Sequence, residues 1–267
     1  STAGSTPADT AATAETTGDD GAAGEDSSAE TPAVDANAGV DPAVEILDGA
    51  VITSLSAEAE ELDPTLNNYS RSSNVLQNLY RGLFVTDANN QTVNAYCKDY
   101  TIDASGLKYT FTLVDGAKWS DGTPLTAHDF EYSWKRVLNP EVASKTAYSN
   151  FVLKNGEKYF NGEVTADEVG VKALDDVTLE VELEGITPYF LSLLASASDM
   201  PVKKDLVEQR DTWKKHAATM IANGPFMMEQ ISPNEKYVLR KNPHYYGADH
   251  VQIEQLVYMF VDSNEAQ

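Results

Sequence analysis

The spacing of apolar residues divides the chain sharply near its fortieth residue. Residues 1–41 are dominated by Ser, Thr, Ala, Gly, Asp and Glu and contain no aromatic side chain. Such a stretch cannot bury enough apolar surface to offset the entropy of ordering it, so it reads as a disordered acidic tether. From about Glu45 the pattern changes. Val51, Ile52 and Leu55 suggest a first strand, and Leu62-Asp63-Pro64 a turn set by proline. Val75, Leu76, Leu79, Tyr80 and Leu83 recur at helical spacing, with Ser72 or Ser73 as the expected N-cap. Tyr109 to Leu113 alternates as a half-buried strand does.

The next helix has the clearest signals. Thr126 with Asp129 three residues on has the form of a capping box, and Phe130, Trp134, Val137 and Leu138 make one apolar face. Asn139-Pro140 stops it. Strands are expected at Val169–Val171 and Thr178–Leu183 around an Asp175-Asp176 turn, and a short helix after Pro188. A polar helical stretch is expected over roughly 203–220. Three strands follow Asn223-Gly224-Pro225: Phe226–Ile231, Tyr237–Arg240 and Ile253–Phe260. Strands and helices mix without a regular βαβ rhythm, which predicts an α/β fold with a mixed sheet. No internal repeat is visible.

Charge narrows the partners. The net charge is -23, yet no Lys or Arg precedes Arg71, while 15 acidic residues lie between Asp9 and Asp63. Residues 71–267 therefore carry 27 acids against 19 bases, a mild excess. The only dense basic spots are Lys203-Lys204 and Lys214-Lys215, which argues against nucleic acid as a partner. Cys97 is the only cysteine, so neither an intrachain disulfide nor a cysteine-based zinc site can form. No apolar run is long enough to span a bilayer. The chain lacks an initial Met and a basic, apolar leader, as expected of a processed or trimmed product.

Seven segments occur in one order. They are Leu62-Asp63-Pro64 with Asn74 and Leu79–Leu83; Lys118–Pro124 (KWSDGTP); Thr126–Pro140 (TAHDFEYSWKRVLNP); Gly170–Asp176 (GVKALDD); Thr187–Leu194 (TPYFLSLL); Asn223–Phe226 (NGPF); and Arg240–Tyr246 (RKNPHYY). In order and spacing they resemble the family 5 extracellular solute-binding proteins, closer to the oligopeptide branch than to the dipeptide or nickel branches. The resemblance covers about residues 45–267. It implies a periplasmic-binding-protein-like α/β fold of the class II type, with mixed sheets and an inserted smaller lobe. Residues 42–70 and 186–267 would form the first, discontinuous lobe, and 71–185 the inserted one. The family's C-terminal lobe would begin near Asp262–Glu265 and is expected to be absent.

The resemblance further implies an oligopeptide ligand and the permease and ATPase subunits of an ABC importer as partners. It implies an extracytoplasmic monomer, anchored to the membrane by a lipid upstream of Ser1, and no cofactor or metal. Matched residue by residue, Asn68, Tyr69 and Ser70 would run extended beside the peptide and pair with its backbone, a form of β-augmentation that tolerates many sequences. A tyrosine that the family places after the Asn-Pro helix end is replaced here by Thr146, with Tyr148 two residues later. Most side-chain pockets and the acid that meets the peptide amino terminus belong to the C-terminal lobe. This chain alone is therefore expected to bind peptide weakly or not at all. Trp119, Trp134 and the Tyr245-Tyr246 pair read as core packing.

A hydrolase is disfavoured. The four histidines (His128, His216, His244 and His250) are scattered, with no HExxH pattern, no G-x-S-x-G elbow and no phosphate-cradling glycine loop. Adjacent acids such as Asp175-Asp176 and Glu60-Glu61 suit turns or solvated edges better than paired acid-base catalysis. A peptide-sensing or adhesion lipoprotein on the same scaffold is the alternative to an importer subunit, and neighbouring permease and ATPase genes would separate the two.

Overall fold

The alternating segments assemble into two four-stranded sheets in a computed structural model that describes residues 41–209 and 212–261. In chain order the elements are β1 (Val51–Leu55), α1 (Ser70–Leu79), β2 (Phe84–Thr86), β3 (Thr92–Asn94), β4 (Cys97–Ile102), β5 (Lys108–Leu113), α2 (Ala127–Leu138), α3 (Gly156–Phe160), β6 (Val171–Ala173) and β7 (Thr178–Glu182). There follow α4 (Phe190–Leu193), α5 (Lys204–Gln209), β8 (Phe226–Ser232), β9 (Lys236–Lys241) and β10 (Gln255–Phe260). One sheet has the order β1-β10-β9-β8, with β1 parallel to β10 and the remaining neighbours antiparallel. The other, β4-β5-β7-β6, is antiparallel throughout, and β2 and β3 form a separate hairpin. The mixed α/β class read from the sequence is the one observed.

The second sheet shows why these residues form these elements. In β5, Tyr109, Phe111 and Leu113 are buried while Lys108, Thr110 and Thr112 lie on the half-exposed face. Leu179 and Val181 of β7 continue the apolar face, and α2, whose buried residues include Phe130, Trp134 and Val137, packs over β6 and β7. The start of α2 is held as expected. The Asp129 carboxylate accepts from the Thr126 N–H at 2.7 Å and from the Thr126 hydroxyl at 3.1 Å. Pro140 then forces Asn139 into an extended conformation (ψ 121°) and ends the helix.

Trp119 and Trp134 are buried, and each ties a loop to this core. Trp134 Nε1 donates to the Asp199 carbonyl at 3.0 Å. The Trp119 turn closes through Gly122, whose φ of +84° a side chain would strain, and Ser120 N–H reaches the Ala222 carbonyl at 2.7 Å. Truncating either indole to Ala costs on the order of 3–5 kcal/mol.

Some boundaries differ from the sequence reading. Residues 1–40 of the expected tether lie outside the described residues, but Asp41 is buried and accepts from the N–H groups of Ala217 and Ile231, both at 2.9 Å. Asp41, the first described residue, is thus already part of the packed structure. Helix α1 starts at Ser70, not after Ser72 or Ser73, and Tyr69 is its N-cap. Ser72 Oγ instead accepts from the Glu61 N–H (3.0 Å), and Ser73 Oγ donates back to the Tyr69 carbonyl (3.0 Å). The helix also stops at Leu79, short of Leu83, because Gly224 N–H takes the Leu79 carbonyl at 2.7 Å. A Cβ on Gly224 would stand 2.6 Å from that carbonyl, so only glycine permits the approach. The expected helix over 203–220 resolves into α5 and a 3-10 turn at Ala217–Thr219, with Trp213 buried between them.

Two buried polar groups set long-range order. Asp63 and Arg136, 73 residues apart, form a two-pronged pair: Nη1 to Oδ1 at 2.9 Å and Nη2 to Oδ2 at 2.7 Å, with both side chains largely buried. Asp199 is buried in the 3-10 turn Ala197–Asp199, where one carboxyl oxygen meets Ser198 Oγ at 3.2 Å and the other has no hydrogen-bond partner among the described residues. Burial pushes its carboxyl up to about 7.

Two predictions follow from these groups. Arg136→Ala leaves a buried, unpaired carboxylate and should lower unfolding free energy by about 3–5 kcal/mol in urea titrations. For Asp199 the folded state keeps its proton after the unfolded chain has lost it. Stability contributed there is whole below about pH 4 and falls as pH rises towards about 7. Asp199→Asn should therefore be more stable than the parent at pH 8 by a few kcal/mol, with the difference shrinking towards pH 4.

Candidate functional site

The Asp63–Asn67 turn carries the candidate ligand segment. Asp63 Oδ1 accepts from the Thr65 N–H at 3.0 Å, and the Asp63 carbonyl accepts from Leu66 (3.1 Å) and Asn67 (3.0 Å). Asn67 is buried and works in both directions: its Oδ1 accepts from the Tyr69 N–H (3.0 Å) and its Nδ2 donates to Ser73 Oγ (2.9 Å). The chain between these contacts is pulled straight, and Tyr69 is extended with φ -116° and ψ 133°.

This bracing leaves one residue free. Asn68 is exposed, and among the described residues neither its backbone N–H nor its C=O has a hydrogen-bond partner. The Tyr69 groups point inward instead, with its N–H on Asn67 and its C=O on Ser73. Asn68 thus offers both backbone groups to solvent, while those of Tyr69 are used at the entry to α1. Ser70, expected in the extended stretch, is the first residue of α1, so that stretch ends one residue early.

The second expected segment is tied to the same turn. Ser144 Oγ donates to the Thr65 carbonyl at 2.6 Å and lies 3.1 Å from Thr146 Oγ1. Thr146 is half-buried and precedes the 3-10 turn Ala147–Val152. The Tyr148 ring is 69% exposed. Thus Asn68 and Tyr69 continue out of the turn, and Thr146 and Tyr148 hang from it through Ser144. Sequence reading missed Asn67, Ser144 and Arg136. The Asp-Pro dipeptide marked the turn, but no local pattern connects Asp63 to a helix 73 residues away.

Nearby groups that could serve chemistry are already engaged. A cleft of about 470 Å³ lies between Glu58–Leu62, Lys214–His216 and the β8-β9 hairpin. Within it Glu60 pairs with Arg71 (2.6 Å), Glu61 with Lys214, and Glu58 accepts from the Asn234 N–H (2.9 Å). Burial, with the Asp99 charge second, pushes the Cys97 thiol up to about 12, which makes it a poor nucleophile. Among the described residues no cluster of three His, Cys, Asp or Glu side chains is placed to hold a metal ion. No helix among them is long and apolar enough to cross a membrane.

Comparison with known proteins gives one answer. The family described as bacterial extracellular solute-binding proteins, family 5 Middle, matches residues 91–267. The oligopeptide-binding protein OppA of Bacillus subtilis is 34% identical over 214 residues, which cover 80% of this chain and 39% of that protein. The substrate-binding domain of an oligopeptide ABC transporter from Bacillus anthracis superposes with a TM-score of 0.77 at 35% identity, over 79% of this chain and 41% of the other. Listeria monocytogenes OppA bound to peptide gives 0.77 at 31%, over 80% and 43%. The chain spans about two fifths of the length of the curated relatives it matches. On the family match and these identities, the chain belongs to the family 5 bacterial extracellular solute-binding proteins.

Proposed function

We propose that this chain forms one wall of a peptide groove in the substrate-binding component of a bacterial ABC importer for oligopeptides. The observation that carries the reading is the open backbone of Asn68, exposed between the Asp63–Asn67 turn and the extended Tyr69 that the turn's Asn67 side chain holds. An extended peptide laid beside it gains main-chain hydrogen bonds whatever its side chains, the recognition a general peptide receptor needs. Tyr69, 40% exposed, and Tyr148 flank this edge as amphipathic surfaces that accept varied side chains. Ser70 and Thr146 position these neighbours from the helix start and from the Ser144 contact. The role is binding, not catalysis.

In this reading the first lobe is built on the sheet containing β1, β8, β9 and β10, and the inserted lobe on the sheet containing β4 to β7. Helix α1 packs against β8, which supports counting the helix with the first lobe. The protein works outside the cytoplasm, tethered by a lipid upstream of Ser1, and delivers peptide to permease and ATPase subunits.

An NMR titration tests the groove. Trialanine at roughly 1–10 mM should shift the backbone amides of Asn68 and Tyr69 and those of residues 146–148, a range suited to a weak partial site. Asn68→Ala keeps the backbone donor and should respond like the parent. Asn68→Pro removes it and should lose the response, with circular dichroism confirming that the fold persists. Equal responses from the parent and Asn68→Pro would overturn the proposal, as would shifts confined to other parts of the chain.

A further inference from the structure

The C-terminal half of α1 borders a second cleft, separated from the peptide edge by about 10–15 Å along the helix. It measures about 430 Å³ and lies between α1, the β2-β3 hairpin and residues 195–200. Its polar lining comes from Gln77, Asn78, Arg81, Thr86, Asp87 and Asn90.

Arg81 is the unusual member. The other described arginines, Arg71, Arg136 and Arg240, each pair with a carboxylate. Arg81 has no carboxylate partner among the described residues, although the chain holds 42 acids against 19 bases. Its single side-chain hydrogen bond goes to the adjacent Tyr80 carbonyl at 3.2 Å, which leaves most of the guanidinium fork unused. Its backbone, by contrast, is clamped. The Asn223 side chain accepts from its N–H at 3.0 Å and donates to its C=O at 2.8 Å. The donor fork is therefore mounted on a fixed base, half-buried in the cleft wall.

The one acid in the lining, Asp87, forms no ion pair with it among the described residues. Asp87 turns its carboxylate onto its own loop, where one oxygen accepts from the N–H groups of Asn89 and Gln91, both at 2.8 Å. Around Arg81 stand neutral amides. Asn78 commits its NH₂ to Asn74 and Tyr258, so its carbonyl oxygen is the free end, and the side chains of Gln77 and Asn90 have no partner among the described residues. Asn90 is carried into place by a left-handed backbone turn with φ +58°.

We propose that this cleft binds a small carboxylate-bearing molecule with further hydrogen-bonding groups. The guanidinium takes the carboxylate through two parallel N–H donors, and the amides of Gln77, Asn78 and Asn90 take hydroxyl or amide substituents. The site is independent of the peptide edge, because no residue belongs to both.

Citrate is the probe. In an NMR titration of the chain to about 20 mM, citrate should shift the Arg81 Nε signal and the side-chain amides of Gln77 and Asn90. Arg81→Gln should weaken binding at least about tenfold, since a charged hydrogen bond is lost. Arg81→Lys should weaken it too, because an ammonium cannot grip a carboxylate two-pronged. Gln77→Ala, at an exposed helical position that alanine suits, should weaken it by a smaller factor. Absence of shifts in the parent, equal binding by Arg81→Gln, or tighter binding of inorganic phosphate than of citrate would each overturn the assignment.

Discussion

Arg136 grips Asp63 with two hydrogen bonds in a place with almost no water, and the geometry of the candidate site descends from that contact. A buried ion pair gives up hydration that its mutual attraction only partly returns, so its main product is not net stability but a single allowed arrangement. Here it pins the turn after β1 against the last turn of α2. The same carboxylate shapes the turn from within through the Thr65 N–H. The Thr65 carbonyl then receives Ser144, which brings in the loop beyond α2. Two segments distant in sequence share one anchor, and the free edge of Asn68 is what the anchoring leaves over.

The proposed function asks for rigidity more than for reactive groups. The core provides it with large side chains in fixed roles: Trp134 tethers the Asp199 turn, and Phe111 packs among Phe84, Tyr100, Tyr109 and Phe190. The carboxylates near the turn are consumed in pairs with Arg71 and Lys214 or in capping backbone N–H groups. What faces outward is the unpaired backbone of Asn68, with Tyr69 and Tyr148 also exposed. Such a surface suits ligands defined by their main chain.

The sequence is legible where local physics decides. The capping box at Thr126, the apolar stripe of α2 and the alternation of β5 and β7 each depend on residues close in sequence, and each appears as expected. The family was legible in the order of seven motifs, and the match over residues 91–267 agrees. The start of α1 was misplaced because Ser72 and Ser73 are good caps in isolation, while tertiary contacts to Glu61 and Tyr69 claimed their hydroxyls. Strands β2 to β4 escaped notice because two of them have three residues and β4 is mostly polar. The Asp63-Arg136 pair was invisible for a different reason. Its partners are joined only by the finished fold.

The most direct measurement is a crystal structure of the chain soaked with a short peptide such as trialanine. The account predicts the peptide main chain lying extended beside residues 68–69, with its N–H and C=O about 2.9 Å from the Asn68 backbone groups and the Asp63-Arg136 pair intact. A peptide seated elsewhere, with Asn68 still facing solvent, would contradict it.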